Sequence, residues 1–323
     1  MVTRRTMLVG TAIGGAALLA AGVGVTASYA AAIDAANKRV STATGTIATR
    51  FGALEYADVG TGTPLLMIHG TGGGYDQGLG FAAPLIAAGY RIISPSRFGY
   101  LGSAFPPDPS TNNQADALVE LLDHLGIDKL AVAGGSAGAL PAIAFAIRHP
   151  DRCAGLIAIV PAIHVPGRPI TPGPTGFAET AMTAMLHSDF LFWTALHTAR
   201  DLMIGTMLAT DPAVLATTSA AEQARVHDVL WNILPVSRRA NGLLNDAALA
   251  STPAPMALEQ ITVPTLAISV EDDRFGTAAA ARHLASVVPG TKLVIYPSGG
   301  HIWAGHNEAL FAEVAAFVDS LPA

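Results

Sequence analysis

Hydrophobic and polar positions change rhythm several times along the chain, and each change marks an element. Residues 46–50 and 54–59 alternate apolar and polar side chains around the Phe51-Gly52 turn, which predicts an antiparallel edge hairpin. Pro64 to His69 is a continuous apolar run, the pattern of a strand buried on both faces, and it ends in the glycine loop Gly70-Thr71-Gly72-Gly73-Gly74. Helix-like spacing follows over 76–88, then an apolar strand over 90–94 and a turn-rich stretch over 95–109. Leucines and Val119 at helical spacing predict a helix over 112–125, stopped by Gly126. Apolar runs return at 130–133 and 154–160, separated by a small-residue helix that ends at His149-Pro150. Strands alternating with helices predict an α/β fold with a mostly parallel central sheet, helices on both faces and right-handed crossovers.

Between 161 and 262 the alternation stops. Residues 166–174 read as loop, and the rest as helices over about 177–187, 190–208 and, with interruptions, 220–250. Alternation resumes with a strand at 264–270, a helix at 277–288, a strand at 292–296 and a closing helix at 308–321. The expected organisation is an α/β core formed by 45–162 and 263–323, with an inserted helical lid at 163–262.

Composition narrows the function. The 323 residues are 51% hydrophobic and 13% charged, with a net charge of -6 and no Lys/Arg cluster in the globular part. A nucleic-acid surface needs a basic stripe to neutralise phosphates, so a small-molecule substrate is expected and a nucleic-acid partner is not. Cys153 is the only cysteine and leads into an apolar strand, so it reads as packing. The sequence has no paired cysteines, no HExxH helix and no acidic calcium loop, so neither a metal nor another cofactor is expected. Nothing in the sequence sets the oligomeric state.

The N-terminal segment, residues 1–32, concerns targeting. Arg4-Arg5 precedes an uncharged stretch rich in Ala, Gly, Leu and Val that runs to Asp34, and Ser28-Tyr29-Ala30 offers the small residues a signal peptidase reads. One reading is a cleaved twin-arginine-like signal. The other is an uncleaved membrane anchor over 7–32, since the stretch approaches the roughly 20 residues that span a bilayer as a helix. Both export the globular part. Residues 33–44 read as a polar, alanine-rich linker.

The chemistry is concentrated at predicted strand ends. Gly134-Gly135-Ser136-Ala137-Gly138 lies between an apolar strand and a helix, which leaves the serine hydroxyl exposed at the tip of a sharp turn. A serine hydroxyl is a weak nucleophile, so it needs a general base and a carboxylate to orient that base. Asp272-Asp273-Arg274-Phe275 and Ser298-Gly299-Gly300-His301 follow the next two core strands, each at the C-terminal end where ligands bind open α/β sheets.

With His69-Gly70 and its glycine loop, these motifs stand in the order found in the α/β-hydrolase fold family, and from Gly45 onward the chain resembles its esterase, C–C hydrolase and haloperoxidase-like members. The resemblance implies Ser136 as nucleophile, His301 as base and Asp273, rather than Asp272, as the triad acid. It also implies oxyanion donors from the backbone N–H of Ala137 and of either Thr71 or Gly72. His69 reads as structural, and Gly73 as letting the loop pass close to substrate. The stretch Ser96-Arg97-Phe98-Gly99-Tyr100 resembles a family loop that usually opens with Asp. In the lid, Trp193 and Trp231, with Phe190, Phe192, Met203 and Leu234, are candidates either for an apolar pocket over Ser136 or for the lid's own core. The implied activity is hydrolysis of a small apolar carboxylic ester through an acyl-enzyme. C–C bond hydrolysis and peracid formation by the same triad are the enzymatic alternatives, and a silent ligand-binding protein on this fold is the non-enzymatic one.

Overall fold

The computed structural model describes residues 24–168, 175–251 and 253–322. The chain divides into two units, with the boundary between Ser41 and Thr42. In the first, residues 24–39 form helix α1. The segment expected as a linker is therefore helical as far as 39, because its alanines favour helix and Asp34 pairs with Lys38 one turn later at 2.7 Å. Most of the expected signal or anchor lies outside the described residues. Among those described, no helix is long and apolar enough to cross a membrane.

The second unit is built on an eight-stranded sheet. In chain order it runs β1 (Gly45–Thr49), β2 (Gly52–Val59), β3 (Pro64–Ile68), helices α2 (Tyr75–Phe81) and α3 (Ala83–Ala87), β4 (Arg91–Pro95), α4 (Thr111–Leu125), β5 (Leu130–Gly135), α5 (Ala139–Arg148) and β6 (Cys153–Ile159). The lid helices are α6 (Phe177–Leu186), α7 (Asp189–Thr198), α8 (Arg200–Met207), α9 (Pro212–Leu215), α10 (Ala220–Trp231) and α11 (Ala240–Ser251). The core closes with β7 (Thr265–Val270), α12 (Thr277–Val287), β8 (Lys292–Tyr296) and α13 (Asn307–Asp319).

The strand order is β1-β2-β4-β3-β5-β6-β7-β8, antiparallel only at β1·β2 and β2·β4. The chain crosses from β4 over β3 to β5, so the order reverses between β3 and β5 and leaves a crevice beyond their C-terminal ends. Successive strand side chains point to opposite faces, and the core divides accordingly. Leu66, Ile68, Val132 and Leu156 pack with α4, α5 and α12, whereas Leu65, Met67, Ala133 and Ile157 pack with α3 and α13. These strands have no solvent face, which is why they read as unbroken apolar runs.

Three expected helices are broken. Pro84 opens a new helix within 76–88, since it cannot donate a backbone hydrogen bond. The segment 190–208 turns at Ala199, whose backbone leaves the helical region at φ -140°. Pro235 and a short 3-10 turn over Val236–Arg238 separate α10 from α11.

Candidate active site

The elbow begins where β5 runs out. Ser136 takes a left-handed backbone, φ 53°, which costs a residue with a Cβ about 1–2 kcal/mol. A Cβ at Gly134 would collide with the Gly138 carbonyl, and one at Gly138 would collide with the carbonyls of Ile68 and His69. Both glycines are therefore demanded by close approach, which presses the elbow against the end of β3.

Ser136 Oγ lies 2.9 Å from His301 Nε2, and His301 Nδ1 lies 2.8 Å from Asp273 Oδ2. A neutral ring donating from Nδ1 to the carboxylate leaves Nε2 free to accept the serine proton. Asp273 is 4% exposed and also accepts from the Phe275 amide at 2.8 Å and from the Thr277 hydroxyl. Burial works to raise its pKa. The positive charge His301 carries when protonated, with hydrogen bonds from His301, Thr277 and Phe275, outweighs burial and holds the carboxyl below its ordinary range. Asp272 points elsewhere, accepting from the amides of Gly299 at 3.2 Å and Gly300 at 2.8 Å, so it pins the loop that carries His301.

Of the two glycine-loop candidates, the structure brings Thr71 to the cavity beside Ser136 and Ala137. The Gly72 amide donates instead to the Tyr100 hydroxyl at 3.3 Å, and Gly72 lies outside the cavity lining. Gly73 also departs from expectation. A Cβ there would run into Gln77 and His69, so the glycine serves packing within its own loop, and the residue does not line the cavity. His69 Nε2 accepts the Arg97 backbone N–H at 2.9 Å, so the proton sits on Nδ1 and is donated to the Gly70 carbonyl at 2.7 Å. Burial, then the Arg97 charge, push its pKa well below 6.5 and keep the ring neutral.

The cavity above Ser136 measures about 710 Å³. The lid supplies an apolar wall that includes Met182, Leu186, Met207, Ile233 and Leu243. Trp193 and Trp231 are not part of it. Trp193 packs 4.3 Å from the His197 ring, and His197 meets Trp231 at 5.3 Å, so buried Trp193 and half-buried Trp231 pack within the lid around His197. The core wall gains two aromatics that carried no sequence signal, Phe81 and Trp303, packed edge to face at 5.2 Å.

Two buried ion pairs join lid and core. Arg97 grips Asp246 of α11 with both terminal guanidinium nitrogens, at 2.8 and 2.6 Å, and the Tyr100 hydroxyl donates to the same carboxylate at 2.6 Å. Arg239, from the lid, pairs with Asp76 of α2 at 2.8 Å and donates to the Gly73 carbonyl. The only sequence hint of the first pair is the unusual Ser96-Arg97 opening of its loop. A second carboxylate reaches that loop from β2, where Glu55 accepts from the Ser96 hydroxyl at 2.9 Å.

The sheet, elbow and strand-end turns are those of one class. Residues 63–304 match the family described as alpha/beta hydrolase fold, and the chain belongs to it. Among the relatives by sequence, the 2-hydroxy-6-oxononadienedioate/2-hydroxy-6-oxononatrienedioate hydrolase 1 of Dechloromonas aromatica (strain RCB) is 29% identical over 79% of this chain and 86% of its own. The uncharacterized hydrolase YcgS of Bacillus subtilis (strain 168) is 42% identical, over only 31% of this chain and 35% of that protein. An alpha/beta hydrolase fold protein from Nakamurella multipartita superposes with a TM-score of 0.68 at 25% identity, covering 85% of this chain and 98% of that one.

Proposed function

We propose that this α/β hydrolase is a serine carboxylic-ester hydrolase acting on small, uncharged, apolar acyl compounds. One observation carries the reading: the hydrogen-bonded line Ser136–His301–Asp273 opens onto a cavity of about 710 Å³ whose lid wall is mostly apolar. In this mechanism His301 takes the Ser136 proton as Oγ attacks the acyl carbon, and Asp273 stabilises the resulting imidazolium. The N–H groups of Ala137 and Thr71 receive the tetrahedral oxyanion. His301 then returns the proton to the leaving alcohol, and water, activated by the same histidine, hydrolyses the acyl-enzyme.

The test is Ser136→Ala, expected to lower kcat on short p-nitrophenyl esters by about 10⁴-fold or more and to abolish labelling by a fluorophosphonate. Surviving activity in the purified variant would reject Ser136 as nucleophile.

A second reading, C–C bond hydrolysis with the same triad, is favoured by the similarity to the Dechloromonas aromatica hydrolase. A dioate substrate carries two carboxylates, whereas the arginines at this cavity are already engaged. Arg274 is paired with Asp211 at 2.5 Å, and Arg168 donates to the Phe275 and Gly276 carbonyls. Turnover of a 2-hydroxy-6-oxodienoate faster than of p-nitrophenyl butyrate would reverse the preference. The Arg4-Arg5 segment supports an exported enzyme, and N-terminal sequencing of protein recovered outside the cytoplasm checks that.

A further inference from the structure

The Gly70 carbonyl and the Thr71 N–H are two edges of one planar peptide, so whatever fixes the carbonyl also aims the amide. A Cβ at Gly70 would lie 3.3 Å from the Ser136 Cβ, which places this peptide against the nucleophile. Its carbonyl accepts from three donors: His69 Nδ1 at 2.7 Å, Arg97 Nη2 at 3.1 Å and the Gly73 amide at 3.2 Å. Arg97 also donates from Nε to the His69 carbonyl at 3.0 Å, so one guanidinium spans two successive carbonyls of the loop. The side chains of Arg97 and Asp246 are 4% and 2% exposed, and in so dry a setting a cation on the carbonyl edge polarises the N–H on the other.

We propose that Arg97 is the positioning residue of the oxyanion hole, aiming and polarising the Thr71 N–H through the Gly70 carbonyl, with Asp246 making that alignment conditional on docking of α11. The inference rests on the serine-hydrolase reading. It adds that lid and oxyanion hole form one device. Helix α11 presents Leu243, Ala247 and Ala250 to the cavity and Asp246 to Arg97, so the helix that meets substrate also holds the group that aims the donor. Tyr100 serves both ends, donating its hydroxyl proton to Asp246 and accepting the Gly72 amide, which keeps Gly72 turned away from the hole.

The experiment compares wild type with the neutral pair Arg97→Gln/Asp246→Asn. It measures kcat and KM on p-nitrophenyl butyrate, and inhibition by an alkyl trifluoromethyl ketone and by the matching methyl ketone. The first ketone is bound as a tetrahedral adduct, and the second mainly as an intact carbonyl. Losing one oxyanion donor outright costs about 10²–10³ in kcat, so misaiming one is expected to cost roughly tenfold to a hundredfold, with KM within about twofold. Trifluoromethyl ketone affinity should fall by the same factor, and methyl ketone affinity should hold. Arg97→Lys keeps the buried charge but has no fork to join Asp246 to Gly70; it is expected to show the same split and replaces the neutral pair if that does not fold. Equal weakening of both ketones, or no change in either, overturns the proposal. Wild-type protein that resists fluorophosphonate labelling rejects the nucleophile itself, whereas labelled wild type with an unchanged ketone ratio rejects only the role of Arg97.

Discussion

The two walls of the cavity are made of different materials. The core wall works through directed bonds at strand ends, with Ser136, His301 and Asp273 in line and Asp272 pinning the loop beside them. The lid wall meets the cavity mostly with side chains such as Met182, Leu186 and Leu243, and its buried charges, Asp246 at the cavity lining and Arg239, are paired with core residues. Apolar contact has no preferred direction, so the lid's apolar side chains bear on size and hydrophobicity rather than on reaction geometry. Ion pairs do have direction, and here they register one wall against the other.

The sharpest break of that contrast is within the core. Asp273→Asn should lower kcat by about 10⁴-fold, because the histidine loses the partner that fixes its tautomer. Asp272→Asn, one residue away, should lower it by roughly tenfold or less, because the amide oxygen still accepts from one of the Gly299 and Gly300 amides and the triad itself is untouched. Steady-state kinetics on p-nitrophenyl butyrate decides, and equal losses would merge the two roles. In the lid, Trp193→Ala should cost about 3–5 kcal/mol of stability by urea unfolding while leaving kcat of the folded fraction within about threefold. A large kcat loss at full stability would return Trp193 to the pocket wall.

Leu186→Trp fills part of the cavity without touching the triad. It should raise KM for long acyl esters by about tenfold, the scale of a methylene or two in a tight pocket, and leave acetate esters nearly unchanged. The smallest effect expected is on pH dependence. In the folded chain the Asp273 carboxyl titrates below its ordinary 3.8, so its contribution to stability is complete above that value and is lost as the pH falls through the lowered one. The Tm difference between wild type and Asp273→Asn should shift against wild type as the pH is brought from near neutrality to below 3.8. A constant difference would mean the carboxyl is not held low.

The core wall was legible because its signals are local. A glycine pair around a serine, or two aspartates after an apolar run, declare a turn within a few residues, and the sheet then brings their ends together. What escaped depends on distant partners. Arg97 meets Asp246 across 149 positions, and no periodicity links them. Trp231 sits on α10, which sends Val229 to the cavity, while no residue of α7, the helix of Trp193, lines it, and spacing alone could not separate these two cases. The choice between Thr71 and Gly72 needed the Tyr100 hydroxyl, contributed by another loop.

The left-handed backbone at Ser136 sets stability against chemistry. Glycine adopts that conformation without penalty, so Ser136→Gly should be more stable than Ser136→Ala by about 1 kcal/mol, the reverse of the usual order. Both lack the hydroxyl, and only the glycine removes the strain. Stability alone would favour glycine at this position, so the strain at Ser136 is a cost that only the proposed nucleophilic role of its hydroxyl accounts for.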